Sequence, residues 1–391
     1  MTTAFTSRAA SRVASLGTTI FTEMTELAAR TGSVNLGQGF PETDGPPDVL
    51  AAARHALAHG ANQYPPLNGT PALRLAIAQQ RLRRYGTVYD PETEIVVTSG
   101  ATEAITASVL GLCEPGDEVL VFDPAYDSYP AGARLAGATC RRVPLRPSPG
   151  GFDYDPDALR TAVTPASRLL LLNTPHNPTG KVFTHDELAD IAEVCVRHNL
   201  IAVVDEVYEY LVYDGRKHIT LASLPGMADR TLTVSSAGKS FSLTGWKVGW
   251  ACGATDLVSA VRSVKQYTTF ATAAPLQDAV ALALSDGEAW VAELRGTLQS
   301  NRDMLARGLE AGGLNVVPAE GGYFLQASVA RANVPDALEY CRLLPYRSKV
   351  VAIPTQAFAE HSRPYASLVR FAFCKAPRTL AEVSDRLSPS L

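Results

Sequence analysis

Short apolar runs alternate with helical stretches between residues 95 and 253, and this alternation constrains the fold more than any other feature of the sequence. Helical periodicity is present in ATEAITASVLGL and in HDELADIAEVCVRHN. Near-continuous apolar strands separated by helices predict an α/β fold with a mainly parallel sheet that is covered by helices on both faces. The predicted strands are IVVTSG, EVLVFDP, RLLLLN, IAVVDEVY, TLTVSS and KVGWACG.

The chain becomes more helical after residue 254 and ends in a mixed pattern of helices and strands. A chain of 391 residues is longer than a domain with a single hydrophobic core usually is, so we expect two domains. Residues 1–48 are predicted to form an N-terminal arm and part of a small domain, residues 49–285 the large domain, and residues 286–391 a small C-terminal α+β domain. The Pro- and Gly-rich stretch PLRPSPGGFDYDPD is predicted to be a surface loop.

Charge and composition argue against several classes of protein. A net charge of −4 and a pI of about 6.0 argue against a nucleic-acid or anionic-membrane binder. No uncharged apolar run reaches the roughly 18 residues that a membrane span needs. The six cysteines are scattered without a CxxC pair, which predicts reduced thiols in a cytoplasm and no metal site. The acid-free N-terminus resembles a transit peptide, but it is short and lacks an apolar core, so an arm is favoured.

Two lysines lie in SSAGKSFSLTGWKVGW, a stretch with no other charge. A lysine that loses its hydration also loses part of its preference for the protonated form, and a neutral amine is a nucleophile. A lysine that stays charged in such surroundings needs an anion. Lys239 and Lys247 are therefore candidates for a covalent anchor and an anion clamp.

Polar residues follow the predicted strands at the point where each strand ends, which is where open α/β sheets bind ligands. VVTSGATEA places Gly100, Ala101 and Thr102 between a strand and a helix N-terminus. Free backbone N–H groups and the helix dipole make that position a phosphate seat, although an ordinary Gly turn with a Thr cap has the same pattern. NTPHNPTGK supplies Asn173 and Asn177 on a rigid turn, where asparagines also commonly satisfy the local backbone.

Two charged residues complete the set of candidates. Asp205 ends the apolar strand of IAVVDEVY, and Tyr208 follows three residues later. A carboxylate at the end of a buried strand needs a cationic partner unless it lies at the surface. Arg370 begins RFAFCK and offers a planar fork for a carboxylate, although such an arginine often forms a structural ion pair. Together these candidates match pyridoxal 5′-phosphate (PLP), a pyridine aldehyde that bears a phosphate. They comprise an anion-binding helix N-terminus, an amide, a buried acid, a phenol, two lysines and an arginine near the C-terminus.

Further motifs run nearly from end to end: VNLGQGFPE, NQYPPLNGTPALRLAIA, VTSGATEA, PGDEVLVFDPAYDSY, NTPHNPTGKVF, DEVYEYLVYDG, LPGMADRTLTVSSAGKSFSLTGWKVGWACG and VRFAFCK. With these motifs the chain resembles the fold-type I, class I/II aminotransferases, in the branch of kynurenine, glutamine, methionine and N-succinyldiaminopimelate aminotransferases. The resemblance implies a large PLP-binding domain with a mainly parallel seven-stranded sheet, a smaller α+β domain, and a homodimer with shared active sites.

The resemblance also implies a role for each candidate residue. Lys239 bonds covalently to PLP and moves the substrate proton, and Asp205 keeps the pyridine nitrogen protonated. Asn173, Asn177 and Tyr208 bind the cofactor, Asn177 and Tyr208 through hydrogen bonds to its phenolic oxygen. The other implied roles are stacking on the ring (Tyr126), phosphate binding (Gly100, Ala101, Thr102, Ser236, Lys247, and Tyr64 from the neighbouring subunit), binding of the substrate α-carboxylate (Arg370, Asn177) and lining of the side-chain pocket (Phe21, Gly39, Phe270).

Three departures from the family pattern leave the substrate open. Ala271 stands where kynurenine-type members carry His, Gln356 stands where Ser is usual, and Ser328 stands where Asp is common. A long aromatic amino acid, a diaminopimelate derivative and a specialised amino acid all remain candidates. Transamination with ping-pong kinetics is the favoured reaction, and β- or γ-elimination or replacement on the same scaffold is the alternative. The absence of GxGxxG after any predicted strand argues against a nicotinamide oxidoreductase.

Overall fold

The computed structural model describes residues 10–14, 19–332 and 334–387. The predicted N-terminal arm therefore falls partly on residues outside this set, and so does the last residue of the final predicted helix. Within the described residues the helices are α1 (Ser11–Ala14), α2 (Ile20–Thr31), α3 (Pro47–Ala58), α4 (Pro71–Tyr85), α5 (Ala101–Leu112), α6 (Ser128–Leu135), α7 (Pro156–Ala162), α8 (His185–Arg197), α9 (Ala237–Ser240), α10 (Thr255–Thr268), α11 (Ala274–Asp286), α12 (Glu288–Ala311), α13 (Ala337–Ser348) and α14 (Pro377–Leu387).

The strands are β1 (Val34–Asn35), β2 (Ile95–Thr98), β3 (Glu118–Asp123), β4 (Thr139–Pro144), β5 (Arg146–Ser148), β6 (Gly151–Asp153), β7 (Ser167–Asn173), β8 (Ile201–Asp205), β9 (Thr231–Ser236), β10 (Gly249–Cys252), β11 (Asn315–Val317), β12 (Phe324–Ser328), β13 (Val350–Val351), β14 (Ile353–Pro354) and β15 (Leu368–Ala372). None of the helices in the described ranges is long and apolar enough to cross a membrane.

The large sheet has seven strands in the order β2-β10-β9-β8-β7-β3-β4. Five neighbouring strands, from β9 to β4, are parallel, and β10 runs antiparallel to both of its neighbours. Alternate residues of β7 enter two different cores: Leu169 and Leu171 pack on the side of α5 and α10, whereas Leu170 and Leu172 pack on the side of α7 and α8. The expected mainly parallel sheet with helices on both faces is confirmed.

A second sheet lies in the C-terminal part of the chain. It is antiparallel, with the order β11-β12-β15-β14. The N-terminal segment pairs with the C-terminal part of the chain in a separate two-stranded parallel sheet of β1 and β13, in which Val34 lies opposite Val350. These two strands hold residues 34–35 against residues 350–351 of the C-terminal part of the chain.

The stretch predicted to be a surface loop instead contains a hairpin of β5 and β6. Two apolar side chains at its ends, Leu145 and Phe152, are buried against the large sheet. Their burial stabilises extended backbone on both sides of the turn, in spite of the Pro and Gly content that favoured a loop.

Candidate active site

A cavity of about 300 Å³ lies at the carboxyl ends of the parallel strands. It collects most of the residues that the sequence singled out. Those that line it are Phe21, Gly39, Gly100, Ala101, Thr102, Tyr126, Asn173, Asn177, Asp205, Tyr208, Ser236, Lys239, Lys247 and Arg370. Residues from the ends of β2, β7, β8 and β9 therefore meet Arg370 of β15 across one space.

Asp205 ends β8 and is buried at the floor of the cavity. Its Oδ2 accepts a hydrogen bond from the Tyr129 hydroxyl at 2.7 Å, and its Oδ1 accepts one from the backbone N–H of Val207 at 3.2 Å. Burial raises the pKa of Asp205 to about 6 in spite of these two bonds. A protonated ring nitrogen is a suitable partner for such a carboxylate. Tyr129 was not among the predicted site residues, although it lies in the motif DPAYDSY.

Lys239 lies in α9, directly after β9. Its Nζ donates a hydrogen bond to the hydroxyl of Tyr323 at 2.7 Å, and Tyr323 was not among the predicted site residues. The surrounding protein removes water from the amine, and this desolvation is the main cause that lowers the pKa of Lys239 to about 8. The amine is therefore far closer to its neutral, nucleophilic form at neutral pH than an exposed lysine.

The predicted phosphate seat lies at the N-terminus of α5. Gly100 precedes this helix with φ +78° and provides no side-chain cap, so the first N–H groups of the helix face the cavity. Lys247 lies beside it: a Cβ at Gly100 would be 3.1 Å from the Lys247 Nζ. In the described part of the chain no carboxylate lies within ion-pair distance of Lys247. A helix N-terminus and a lysine without a protein anion fit a phosphate.

The two asparagines have different surroundings. Asn173 is buried, donates from Nδ2 to the Asp205 carbonyl at 2.9 Å, and accepts the backbone N–H of Asn177 at 2.7 Å. It therefore holds the Asn177 turn against the end of β8. Asn177 directs its Oδ1 toward Arg370.

Arg370 is buried and forms no ion pair with any of the described carboxylates. Its Nη1 donates to the Asn177 Oδ1 at 2.8 Å and its Nη2 to the Gly37 carbonyl at 2.6 Å, while its Nε has no partner among the described residues. The rings of Phe324, Phe358 and Phe21 surround the guanidinium at 3.8, 4.6 and 5.4 Å. Burial lowers its pKa to about 10. A buried cation with a free N–H donor, and with no carboxylate within ion-pair distance among the described residues, fits an anionic ligand group.

Two predicted residues do not reach the cavity of their own chain. Tyr64 is 87% exposed and Phe270 is 42% exposed, and their rings meet edge to face at 5.5 Å on the surface. Phe270 also has φ +61°, a conformation that bulky residues seldom adopt.

Comparison with known proteins identifies the family of the chain. Residues 31–387 match the family described as aminotransferase class I and II. The chain belongs to this family. It is 53% identical to a probable N-succinyldiaminopimelate aminotransferase, DapC, of Mycobacterium tuberculosis, with 97% of each chain covered. It is 37% identical to the methionine aminotransferase of Escherichia coli, over 96% of this chain and 97% of the other.

Solved structures give the same result for the fold. The structure of N-succinyldiaminopimelate aminotransferase from M. tuberculosis matches this aminotransferase with a TM-score of 0.96 at 52% identity, over 98% of this chain and 100% of the other. The E. coli protein YbdL, described as having a methionine aminotransferase function, matches with a TM-score of 0.94 at 36% identity, over 98% and 100%. The fold-type I architecture, the PLP cofactor and transamination, rather than elimination or replacement, are thereby confirmed.

Proposed function

We propose that this aminotransferase moves an amino group from N-succinyldiaminopimelate to a 2-oxo acid, and that both substrates use the cavity described above in turn. The single observation that carries the assignment to this cavity is Arg370. It is a buried cation with no carboxylate within ion-pair distance among the described residues, and it lines the same space as Lys239 and Asp205. Every α-amino acid and every 2-oxo acid brings the carboxylate that such a cation needs.

The remaining residues have roles that follow from their surroundings. PLP supplies a ring that accepts the electrons left when the substrate proton departs. Lys239, with its lowered pKa, holds the cofactor and moves that proton. Asp205 balances a protonated ring nitrogen. We assign the phosphate to the N-terminus of α5, Ser236 and Lys247, the phenolic oxygen to Asn177 and Tyr208, and ring stacking to Tyr126.

The donor is proposed from similarity, since the relative with 53% identity is named for N-succinyldiaminopimelate. A second candidate donor is methionine or an aromatic amino acid. This alternative is favoured by the aromatic walls of the cavity, Phe21, Tyr126 and Phe324, and by the lack of a cation among its described lining residues that is free to bind a distal carboxylate. The cations that line it within the described residues are Lys239, Lys247 and Arg370, each with a role already, so distal carboxylates of a succinylated donor must be bound beyond this lining.

A panel of donors separates the two candidates. Initial rates with N-succinyldiaminopimelate, methionine, kynurenine, glutamine and aspartate, each against several 2-oxo acids, give kcat/KM for every pair. The highest kcat/KM with N-succinyldiaminopimelate supports the proposal. A higher value with methionine or kynurenine overturns the donor assignment and leaves transamination intact.

We further propose a homodimer that shares its active sites, in a cytoplasmic location. The exposed pair of Tyr64 and Phe270 supports the first part, because two aromatic side chains of this size seldom face water together. The second part is supported by the six cysteines, which are all free thiols. Light scattering of the purified protein tests the oligomeric state.

A further inference from the structure

We propose that Tyr323 is a catalytic residue that binds the Lys239 amine whenever this amine is not bonded to the cofactor, and that Gly39 fixes the direction of the hydrogen bond between them. The inference rests on the proposed function, in which the Lys239 Nζ is the reacting amine. Tyr323 is not among the residues that line the main cavity, yet its hydroxyl touches that reacting atom.

The direction of the hydrogen bond follows from a count of protons. The Tyr323 hydroxyl carries one proton, and the Gly39 carbonyl accepts a hydrogen bond from it at 2.9 Å. Toward the Lys239 Nζ, 2.7 Å away, the phenolic oxygen is therefore an acceptor. The amine uses an N–H in this contact, and its lone pair, when it is neutral, stays free for the substrate proton.

The tyrosine ring is fixed by its neighbours. It is 1% exposed and makes edge contacts with Tyr208 at 5.1 Å and with Phe324 at 5.0 Å between ring centroids. A Cβ at Gly39 would lie 2.2 Å from the ring carbon Cε2 of Tyr323, so only glycine permits this approach. The sequence placed Gly39 in the side-chain pocket, and the structure adds a second reason for a glycine at this position.

Three separate parts of the fold meet at this contact. Lys239 follows β9 of the large sheet, Tyr323 precedes β12 of the small sheet, and Gly39 belongs to the segment after β1. Lys239 and Tyr323 also line a second cavity of about 180 Å³. Lys239 thus lies between the two cavities. It lines the main cavity, whereas its hydrogen-bond partner Tyr323 lines only the second one.

The charge of the amine depends on every group that faces it. Desolvation is the largest effect and lowers its pKa, Lys247 and Arg370 act in the same direction, and Cys374 and Asp205 oppose them. The Tyr323 oxygen, as an acceptor, favours the ammonium, because a charged donor forms the stronger hydrogen bond. Removal of this oxygen therefore lowers the pKa of Lys239 further.

The test is the pKa of Lys239 in the full-length protein freed of cofactor, measured independently of turnover. Reductive methylation with ¹³C-formaldehyde labels the lysine amines, the Lys239→Ala variant identifies the Lys239 resonance, and its chemical shift is followed against pH. We expect Tyr323→Phe to lower the pKa of Lys239 by about one to two units, the equivalent of one hydrogen bond to a charged group. Gly39→Ala, whose methyl group displaces the ring, should lower it in the same direction.

Tyr340→Phe is the matched control, because Tyr340 is buried in α13 and its hydroxyl has no partner among the described residues. It should leave the pKa of Lys239 unchanged. An unchanged pKa in Tyr323→Phe, or an equal shift in Tyr340→Phe, overturns the inference. Either result leaves the proposed function standing, since that proposal is tested by turnover of the donor panel.

Discussion

Replacement of Arg370 by methionine separates a catalytic loss from a loss of stability. The proposed substrate carboxylate adds charge-assisted hydrogen bonds to a guanidinium that already donates to Asn177 and Gly37. Truncation of one partner of a buried, hydrogen-bonded charge pair costs about 2–5 kcal/mol. In Arg370→Met we therefore expect kcat/KM for the amino donor to fall by roughly 30- to 5000-fold.

The stability of the cofactor-free protein should change far less. Burial lowers the pKa of Arg370 from 12.5 to about 10, which corresponds to a cost of about 3 kcal/mol for the charged form. Methionine removes that cost but leaves two buried oxygen acceptors unpaired, at about 1–3 kcal/mol each. The two effects oppose each other and are similar in size, so the melting temperature should move by only a few degrees.

The assay compares an amino acid with the corresponding amine that lacks the α-carboxylate. The wild-type protein should prefer the amino acid strongly, and Arg370→Met should lose most of this preference. Arg342→Met is the control, because Arg342 pairs with Glu23 on the exposed surface and should leave kcat/KM unchanged. A variant at Arg370 that keeps the wild-type preference would refute the reasoning, because the carboxylate would then be bound elsewhere.

Four further outcomes are expected. Lys239→Ala should abolish turnover and the covalent attachment of PLP, read by mass spectrometry after borohydride reduction, and retention of either contradicts the assignment. Burial raises the pKa of Asp205 from 3.8 to about 6, so the ionised side chain destabilises the cofactor-free fold above that pH. Asp205→Asn should therefore unfold at a higher temperature than wild type near neutral pH. This difference in melting temperature should vanish as the pH falls from 6 toward 3.8, and a difference that grows on acidification contradicts the assignment. Initial rates against both substrates should give parallel double-reciprocal lines, whereas intersecting lines exclude the alternating use of one site. Mixed dimers of Lys239→Ala and Tyr64→Ala should regain activity that neither variant has alone, and no regain contradicts a shared site.

The parallel strands β3, β7 and β8 were predictable because each contains a continuous apolar run and ends in a polar residue. Asn173 and Asp205 lie directly opposite each other at the ends of β7 and β8, as the strand pattern implied. The edge strand β4, TCRRVP, was not predicted because its two arginines interrupt the apolar pattern. One of them, Arg142, lies 3.4 Å from the Asp123 carboxylate of β3, a pairing that only the folded sheet creates. The domain boundaries at residues 48 and 285 stay a prediction.

Contacts made across long sequence separations were not predictable. Tyr323 follows Lys239 by 84 residues, and Tyr129 precedes Asp205 by 76. The motifs GGYF and DPAYDSY supply both tyrosines, but each hydroxyl acquires its partner only when separate elements pack together. Local motifs therefore predicted the cofactor and most of the residues that line the cavity, and the structure adds the tyrosines that contact Lys239 and Asp205.

The three departures from the family pattern lie away from the cavity wall. Ser328 lies within hydrogen-bond distance of the Ser367 hydroxyl, at 3.3 Å, at the end of the small sheet, and Gln356 lines a separate surface cavity. Ala271 follows Phe270 in the loop after α10, and none of the three lines the main cavity. These departures therefore cannot alter the walls around Arg370 and Lys239 directly.

The loop with Ala271 is nevertheless tied to the phosphate seat. Lys265 donates from its Nζ to the Phe270 carbonyl at 2.8 Å, and Glu103 in the first turn of α5 accepts the Thr269 hydroxyl at 2.6 Å. The other carboxylate oxygen of Glu103 accepts the backbone N–H of Ser99, also at 2.6 Å. These bonds tie the loop to α10 and to the first turn of α5 within its own chain. Phe270 and Ala271 are therefore held on the outside of the chain, where the proposed partner subunit would contact them. In a homodimer with shared active sites we therefore expect this outward surface to contribute to donor selection, together with the walls of a single chain.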